Sequence, residues 1–351
     1  MHIDIVGGGS LGLLFFSKLA LTRHANTIHN TTAAHSLVDQ LWLWTRTSEQ
    51  AKRIQEEGVL FQAGSDQPLQ RFMPSSLASC SVAAVQTNTE QAAAAIETDK
   101  ADIILLTVKQ QHVTAELIHW LSKRMHKGTV LITMQNGLRT DSIWPPTWNV
   151  YVAITTEGAK KLSPVGVMHS GHGQTAIGNA ALLYHSSTLL SETLAVQEYE
   201  QRTIASLLRS LMEAGFKVAL SNNIRIDVYR KLTINAVINP LTALWRISNG
   251  ELLASEARIA VMRQLFDEAI AVYTWHHIEW SEAWWHDILQ VCQATAANTS
   301  SMLADVLHSK RTEIRWINGA IIELARRVPM QAFAHEWMCT LIESLTVEEV
   351  D

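Results

Sequence analysis

The feature that most constrains this chain is a glycine-rich turn near its N-terminus, between a short apolar strand and a helix. The β-branched run from Ile3 to Val6 predicts the strand, and leucines from Leu11 onward predict the helix. The turn fits the pattern G-x-G-x-x-G with Gly7, Gly8, Gly9, Ser10, Leu11 and Gly12. In this position the pattern indicates the first unit of a dinucleotide-binding Rossmann domain.

The glycines have separate physical roles in such a unit. Gly7 permits the tight turn, Gly9 lets the backbone approach a pyrophosphate, and Gly12 allows the helix to pack closely on the strand. The helix N-terminus offers N–H groups and a positive dipole end to the phosphates. A glycine-rich turn without a ligand is the alternative, but the position of the motif directly after a strand favours a cofactor site.

Strands and helices alternate along the first half of the chain, which predicts a parallel sheet. Further strands are predicted over 41–44, 103–108 and 130–134, with an alanine-rich helix around 91–96 and a polar surface insertion between Thr22 and Gln40. After Tyr184 the pattern is helical, over 193–213, 225–237, 257–276 and 283–307. We therefore predict an α/β protein with an N-terminal Rossmann-type dinucleotide-binding domain over 1–222 and a C-terminal all-helical domain over 223–351.

Composition narrows the class of partner. The net charge of -5 shows no excess of the basic residues that bind the phosphate backbone of nucleic acids, so no nucleic-acid partner is expected. The N-terminus lacks the pattern of a signal peptide, and no apolar stretch reaches the ~18 residues that span a bilayer. We expect a cytoplasmic monomer or homodimer that does not enter a membrane. Cys80, Cys292 and Cys339 lie far apart and are expected to be reduced.

The residues after the second strand bear on the choice of cofactor. An acidic residue there would bind the ribose hydroxyls of NAD, but the sequence places Arg46 between Thr45 and Thr47. An arginine pairs with a 2′-phosphate through two charge-assisted hydrogen bonds. Arg46 therefore favours NADPH, and a solvated surface arginine is the alternative.

A polar stripe marks the helical half. Lys231, Asn235 and Asn239 are four residues apart, so they lie on one face of a helix that is otherwise apolar. Buried amides and ammonium groups require partners, which favours a polar ligand at this face. Capping and interhelical hydrogen bonds are the alternative, because Asn239 precedes a proline and would then lie at a helix end.

Several further motifs occur in a fixed order. They are T-V-K at 107–109, Q-N-G at 135–137, N-I-R at 223–225, R-K-L at 230–232, N-A-V-I-N-P-L-T-A at 235–243, S-S-M-L-A-D at 300–305, T-E-I at 312–314 and I-N-G at 317–319. With these motifs the sequence resembles the ketopantoate reductase (2-dehydropantoate 2-reductase) family from residue 3 to about residue 325. The resemblance implies a Rossmann domain followed by a helical domain. It also implies hydride transfer from NADPH to the C2 carbonyl of ketopantoate, a small anionic 2-keto acid, giving D-pantoate for pantothenate and coenzyme A synthesis.

The resemblance also implies roles for individual residues. Lys231 would be the general acid that protonates the carbonyl oxygen, and Glu313 would bind the hydroxyl end of the substrate or the lysine. The other implied contacts are Asn235 and Asn239 with the substrate, Ser301 with its carboxylate region, Asn136 with nicotinamide and substrate, Lys109 beside the cofactor and Arg46 at the 2′-phosphate. Ketone reduction places negative charge on oxygen, so the chemistry independently requires a positioned donor.

Two other functions stay open. One is reduction of another small 2-keto acid. Two residues depart from the family pattern and would change the substrate preference in that case, namely Gln111 and Arg315. The other is a non-catalytic NADPH-binding regulator, which the presence of Lys231 and Glu313 disfavours. No metal site is predicted, because neither His169 with His172 nor His276 with His277 has a carboxylate or cysteine at a suitable spacing.

Overall fold

The computed structural model describes residues 1–28, 37–77, 80–85, 99–183 and 194–345, and the chain forms two compact units. Unit 1 comprises Met1–Gln135 and Ile143–Ile224, and unit 2 comprises Asn136–Ser142 and Arg225–Asp351. The alanine-rich helix predicted around 91–96 lies outside the described residues. So do residues 29–36 of the predicted insertion, whereas its first residues continue the first helix to Ile28.

Unit 1 contains all of the described strands. They are β1 (His2–Val6), β2 (Gln40–Thr45), β3 (Val59–Gln62), β4 (Leu69–Phe72), β5 (Cys80–Ala84), β6 (Ala101–Leu106), β7 (Met125–Thr133), β8 (Asn149–Thr155), β9 (Gly158–Ser163), β10 (Gly166–Gly171), β11 (Thr175–Asn179) and β12 (Val218–Leu220). Its helices are α1 (Ser10–Ile28), α2 (Ser48–Glu57), α3 (Ala115–Arg124) and α4 (Leu194–Glu213). The predicted parallel sheet is confirmed, as an eight-stranded sheet in the order β12-β11-β8-β7-β6-β1-β2-β5 in which only the β8–β11 pair is antiparallel.

The sheet places the glycine turn at the point where the strand order reverses. From β1 the chain moves through β2 to β5 on one side, and β6 then lies on the other side of β1. In open α/β sheets, ligands bind beyond the carboxyl ends of the strands at such a switch point. Gly7 follows the last residue of β1, so local sequence and sheet topology indicate the same cofactor site.

The buried strand β1 contains one acidic residue, whose carboxylate is paired with basic side chains. Asp4 is fully buried, and Arg124 at the end of α3 donates to it from Nε at 2.8 Å. His2 lies on the other carboxylate oxygen of Asp4, at 2.9 Å from Nε2. Because an unpaired buried charge is strongly destabilising, this pairing explains how a central strand tolerates an aspartate.

A second sheet was not predicted from the sequence. It has four strands in the order β4-β3-β10-β9, and β10 is parallel to β3. The chain enters it first through β3 and β4, between α2 and β5, and again through β9 and β10, between β8 and β11. The strand β9 has the sequence GAKKLS, and this polar edge carries little of the apolar alternation on which strand prediction depends.

Apart from Ile224, which belongs to unit 1, the remaining helices lie in unit 2: α5 (Ile224–Trp245), α6 (Glu256–Trp275), α7 (Ala283–Ala294), α8 (Ser301–Leu307), α9 (Ile314–Ala325) and α10 (Phe333–Leu345). The mixed fold with a helical C-terminal region is therefore confirmed. Two helix predictions were wrong. The predicted helix over 283–307 is two helices, because Ser300 caps α8 by accepting from the Leu303 N–H at 3.1 Å. The helix predicted over 225–237 is longer than expected, since α5 continues to Trp245.

No helix in the described ranges is both long and apolar enough to cross a membrane.

Candidate active site

The glycine turn has the close contacts that its pattern requires. Gly7 has φ 126°, and a Cβ on Gly12 would lie 1.9 Å from the Gly7 carbonyl oxygen. Thr107, directly after β6, donates its hydroxyl to the Val6 oxygen at 3.1 Å. A Cβ on Gly9 would meet nothing within 4 Å, so the backbone there is open to a ligand. These residues fit the pyrophosphate of a dinucleotide.

Two residues that sequence reasoning missed hold the glycine turn. Gln50 of α2 donates from Nε2 to the Gly8 oxygen at 2.7 Å and to the Pro164 oxygen at 2.8 Å. Lys161 of β9 reaches the same Gly8 oxygen at 3.2 Å. The second sheet is thus tied to the cofactor turn. Neither Gln50 nor Lys161 belongs to a recognisable sequence motif. Their contacts with the glycine turn arise only from the tertiary fold.

Arg46, which is predicted to bind the 2′-phosphate of NADPH, directly follows β2. The β1–β2 register pairs Val6 with Trp44, so Arg46 follows β2 at the same end of the sheet as the glycine turn. It is exposed, with its guanidinium Nη1 3.3 Å from the Nε2 of His112. Burial, followed by the charges of Arg46 and Lys109, lowers the pKa of His112. Arg46 and Lys109 therefore supply positive charge after β2 and β6, where a phosphate would be attracted.

The polar stripe lies on α5 as the spacing predicts. Asn239 is buried, whereas Lys231 and Asn235 are partly exposed. Burial of the ammonium group lowers the pKa of Lys231 to about 8, and the charge of Glu313 opposes this shift. Glu313 is itself buried, immediately before α9. A lysine with such a pKa exchanges its proton near neutral pH, as a general acid must.

Helix α5 continues past a proline, and α9 supplies the hydrogen bond that the proline lacks. Pro240 lies inside α5 and has no N–H for the Ala236 carbonyl, four residues earlier. Asn318 of α9 donates its Nδ2 to that carbonyl oxygen at 3.0 Å. The same Nδ2 lies 3.0 Å from Nδ1 of His335, which is fully buried. The alternative that Asn239 lies at a helix end is therefore wrong, because α5 continues to Trp245.

Asn136 is held in unit 2 rather than with the strand that precedes it. Gly137 has φ 79°, and a Cβ there would lie 2.3 Å from the Trp316 carbonyl oxygen. That oxygen accepts from the Leu138 N–H at 2.8 Å. Trp316 is in the first turn of α9, which begins directly after Glu313. The residues predicted to contact substrate, Asn136, Lys231, Asn235, Asn239, Ser301 and Glu313, therefore all belong to one compact unit.

The neighbouring residues Ser300 and Ser301 differ in burial and in their contacts. Ser300 is buried, caps α8 and accepts from the Thr242 hydroxyl of α5 at 2.7 Å. Ser301 is the first residue of α8, and it is exposed. The capping serine thus fixes the start of α8 on α5, and its neighbour remains available to a ligand. The role of Ser301 with a substrate carboxylate stays a prediction.

The fold also supplies a carboxylate that spacing in the sequence does not show. Glu157, His169 and His172 present ligand-type atoms that all lie within 4.8 Å of one another. The prediction of no metal site rested on the lack of a suitably spaced carboxylate in the sequence, whereas the pairing of β9 with β10 brings Glu157 to His169 and His172 in space.

Comparison with known proteins decides the family. Residues 3–181 match the family model for ketopantoate reductase PanE/ApbA, and residues 223–346 match the model for its C-terminal part. This chain belongs to the ketopantoate reductase family. It is an oxidoreductase, as the resemblance implied. The 2-dehydropantoate 2-reductase of Bacillus subtilis (strain 168) is 30% identical over 352 residues, which cover 98% of this chain and 97% of the relative.

Solved structures agree on the fold of the ketopantoate reductase family. The crystal structure of a probable 2-dehydropantoate 2-reductase from Bacillus subtilis has a TM-score of 0.71 at 28% identity, covering 98% of this chain and 100% of the other. A D-mandelate dehydrogenase with NADH and anilino(oxo)acetate has a TM-score of 0.75 at 20% identity, covering 99% and 98%. This second likeness shows the fold alone.

Proposed function

We propose that this chain reduces 2-dehydropantoate to D-pantoate with NADPH. The observation that carries the proposal is Lys231, whose lowered pKa and neighbouring Glu313 suit a proton donor on the same helix face as Asn235 and Asn239. Membership of the ketopantoate reductase family supports the substrate. The Gly7–Gly12 turn and Arg46 support the cofactor.

The residues of the chain divide the chemistry as follows. NADPH, when bound, supplies the hydride. The amides of Asn235 and Asn239 hydrogen-bond the oxygens of the substrate and orient its carbonyl. Lys231 donates a proton to the carbonyl oxygen as negative charge develops there. Glu313 stabilises the protonated lysine, since its charge raises the pKa that burial lowers.

An assay of NADPH oxidation tests the proposal directly. We expect rapid loss of nicotinamide absorbance with 2-dehydropantoate, and much lower kcat/KM with pyruvate and with a phenyl-substituted 2-keto acid. A higher kcat/KM for either of the latter would assign the chain to another 2-keto acid. No oxidation with any of the panel, despite NADPH binding, would support a non-catalytic role instead.

Cofactor preference provides a second test. NADPH is expected to bind more than about tenfold more tightly than NADH, because a charge-assisted Arg46–phosphate pair contributes ~1.5–3 kcal/mol. The variant Arg46→Ala should lose this preference while its affinity for NADH changes little. Arg202→Ala, which removes an exposed arginine of α4, is the matched control. Equal affinities of the wild type for the two cofactors, measured by titration, would contradict the assignment.

The buried end of the stripe provides a third test. Asn239→Ala is expected to raise KM for 2-dehydropantoate by about tenfold or more, because a substrate oxygen is left without its donor, at ~1–3 kcal/mol. NADPH affinity should stay close to that of the wild type. Asn222→Ala, an exposed position before α5, serves as the control. A wild-type KM in Asn239→Ala, with the fold checked by thermal melting, would return Asn239 to a structural role.

A further inference from the structure

The connections between the two sheets of unit 1 bring together three side chains of metal-ligand type. Glu157 lies between β8 and β9, where the chain enters the second sheet for the second time. His169 lies on β10, and His172 follows β10, where the chain returns toward β11. None of the three takes part in the proposed reduction, so their convergence needs a separate explanation.

Their geometry is compact and mostly buried. The Nε2 of His169 lies 2.6 Å from Oε2 of Glu157, and both side chains are at most 2% exposed. The rings of His169 and His172 have centroids 4.1 Å apart, and His172 is exposed. One ligand-type atom from each residue falls within a 4.8 Å cluster, so a small displacement would place all three around one ion. The exposed histidine leaves a route from solvent.

The backbone holds the cluster in place. The N–H of Thr156 donates to the Gln174 oxygen at 2.9 Å, and the Gln174 N–H donates to the Thr156 hydroxyl at 2.9 Å. A Cβ on Gly173 would lie 2.3 Å from the carbonyl carbon of Thr156, so only glycine permits this approach. The two connections are therefore hydrogen-bonded to each other beside the cluster. A site fixed in this way loses little conformational entropy when it binds an ion.

We propose that Glu157, His169 and His172 bind a divalent transition-metal ion of the zinc type, which joins the two sheet connections. Two imidazoles and one carboxylate suit Zn²⁺ and Co²⁺, and water would complete a four-coordinate site.

Lys18 opposes the ion and provides an internal control. It interacts electrostatically with Glu157 and with His169, while its Nζ donates to the Gly215 oxygen at 3.2 Å and lies 4.3 Å from the centre of the Phe216 ring. Lys18→Met removes a competing charge and should raise the metal affinity.

The test uses the full untagged chain, stripped with a chelator and titrated with Zn²⁺. At a Zn²⁺ concentration of about 100 times Kd, we expect the Tm of unit 1 to rise by about 5–10 °C. Co²⁺ in place of Zn²⁺ should give the visible absorption of a low-symmetry four-coordinate site. His172→Ala removes an exposed ligand without disturbing the core and should weaken binding by about tenfold or more.

Two further variants distinguish this site from adventitious binding. Glu157→Gln keeps the size of the side chain but removes its charge, and it should weaken binding as His172→Ala does. His119→Ala removes an exposed histidine of α3 and should bind Zn²⁺ as the wild type does. The proposal is overturned if the wild type shows neither a Tm shift nor a Co²⁺ spectrum. Unchanged affinity in His172→Ala and Glu157→Gln would overturn it equally, and Glu157–His169 would then be a structural pair.

Discussion

Replacing Lys231 with alanine is expected to lower kcat by ~10²–10⁴-fold, the usual contribution of a positioned general acid. The affinity for NADPH should hardly change, because a proton donor acts on the substrate oxygen in the transition state. Lys231→Arg separates charge from proton transfer: it keeps a positive group, but a guanidinium does not release its proton near neutral pH. Both variants should therefore be slow. A variant that keeps most of its turnover would place the acid elsewhere.

The pH dependence gives the same assignment a second readout. Because the pKa of Lys231 is lowered to about 8, the lysine is protonated below that pH, and the rate of reduction should fall as pH rises through it. Glu313 raises this pKa, so Glu313→Gln leaves the effect of burial unopposed and should move the fall to lower pH. An unchanged pH profile in Glu313→Gln would show that the carboxylate does not act through the lysine.

Asn318→Leu is expected to reduce the stability of unit 2 by about 2–4 kcal/mol, the largest stability effect that we predict. The substitution leaves the Ala236 carbonyl without a donor, and an unsatisfied buried group costs ~1–3 kcal/mol. It also removes the partner of the His335 Nδ1. Burial lowers the pKa of His335 to about 4, so its ring is neutral, with Nε2 donating to the Leu265 oxygen and Nδ1 accepting from Asn318.

A double-mutant cycle with Pro240 isolates this contact. In Pro240→Ala the new N–H at position 240 can donate to the Ala236 oxygen, so Asn318→Leu should cost about 1 kcal/mol less there than in the wild type. Urea unfolding of the four proteins measures the coupling. Equal costs in both backgrounds would show that Asn318 does not replace the hydrogen bond that Pro240 lacks. Asn298→Leu, at an exposed position outside this contact, is a control for the side-chain change itself.

Sequence alone determined those parts of the protein that depend on neighbours in the chain. The glycine turn could be predicted because a strand, a turn and a helix that follow one another leave a local pattern. The stripe of Lys231, Asn235 and Asn239 could be predicted because the helical period converts spacing into a shared face. The motifs that carry the family resemblance are also short segments, and the family is confirmed.

Tertiary structure decided what depends on pairs of residues far apart in the chain. Asn318 and Ala236 are 82 positions apart in the sequence, yet the Asn318 side chain donates a hydrogen bond to the Ala236 carbonyl oxygen. The residues next to either one in the sequence do not indicate this hydrogen bond. The assignment of Asn136 to unit 2 depends on the close approach of Gly137 to Trp316. Glu157 joins His169 only because β9 turns back along β10. The period of the apolar residues in the sequence indicates which face of a helix or strand is buried. It does not indicate which other element packs against that face. The hydrogen bonds and ion pairs at such contacts therefore depend on the tertiary packing.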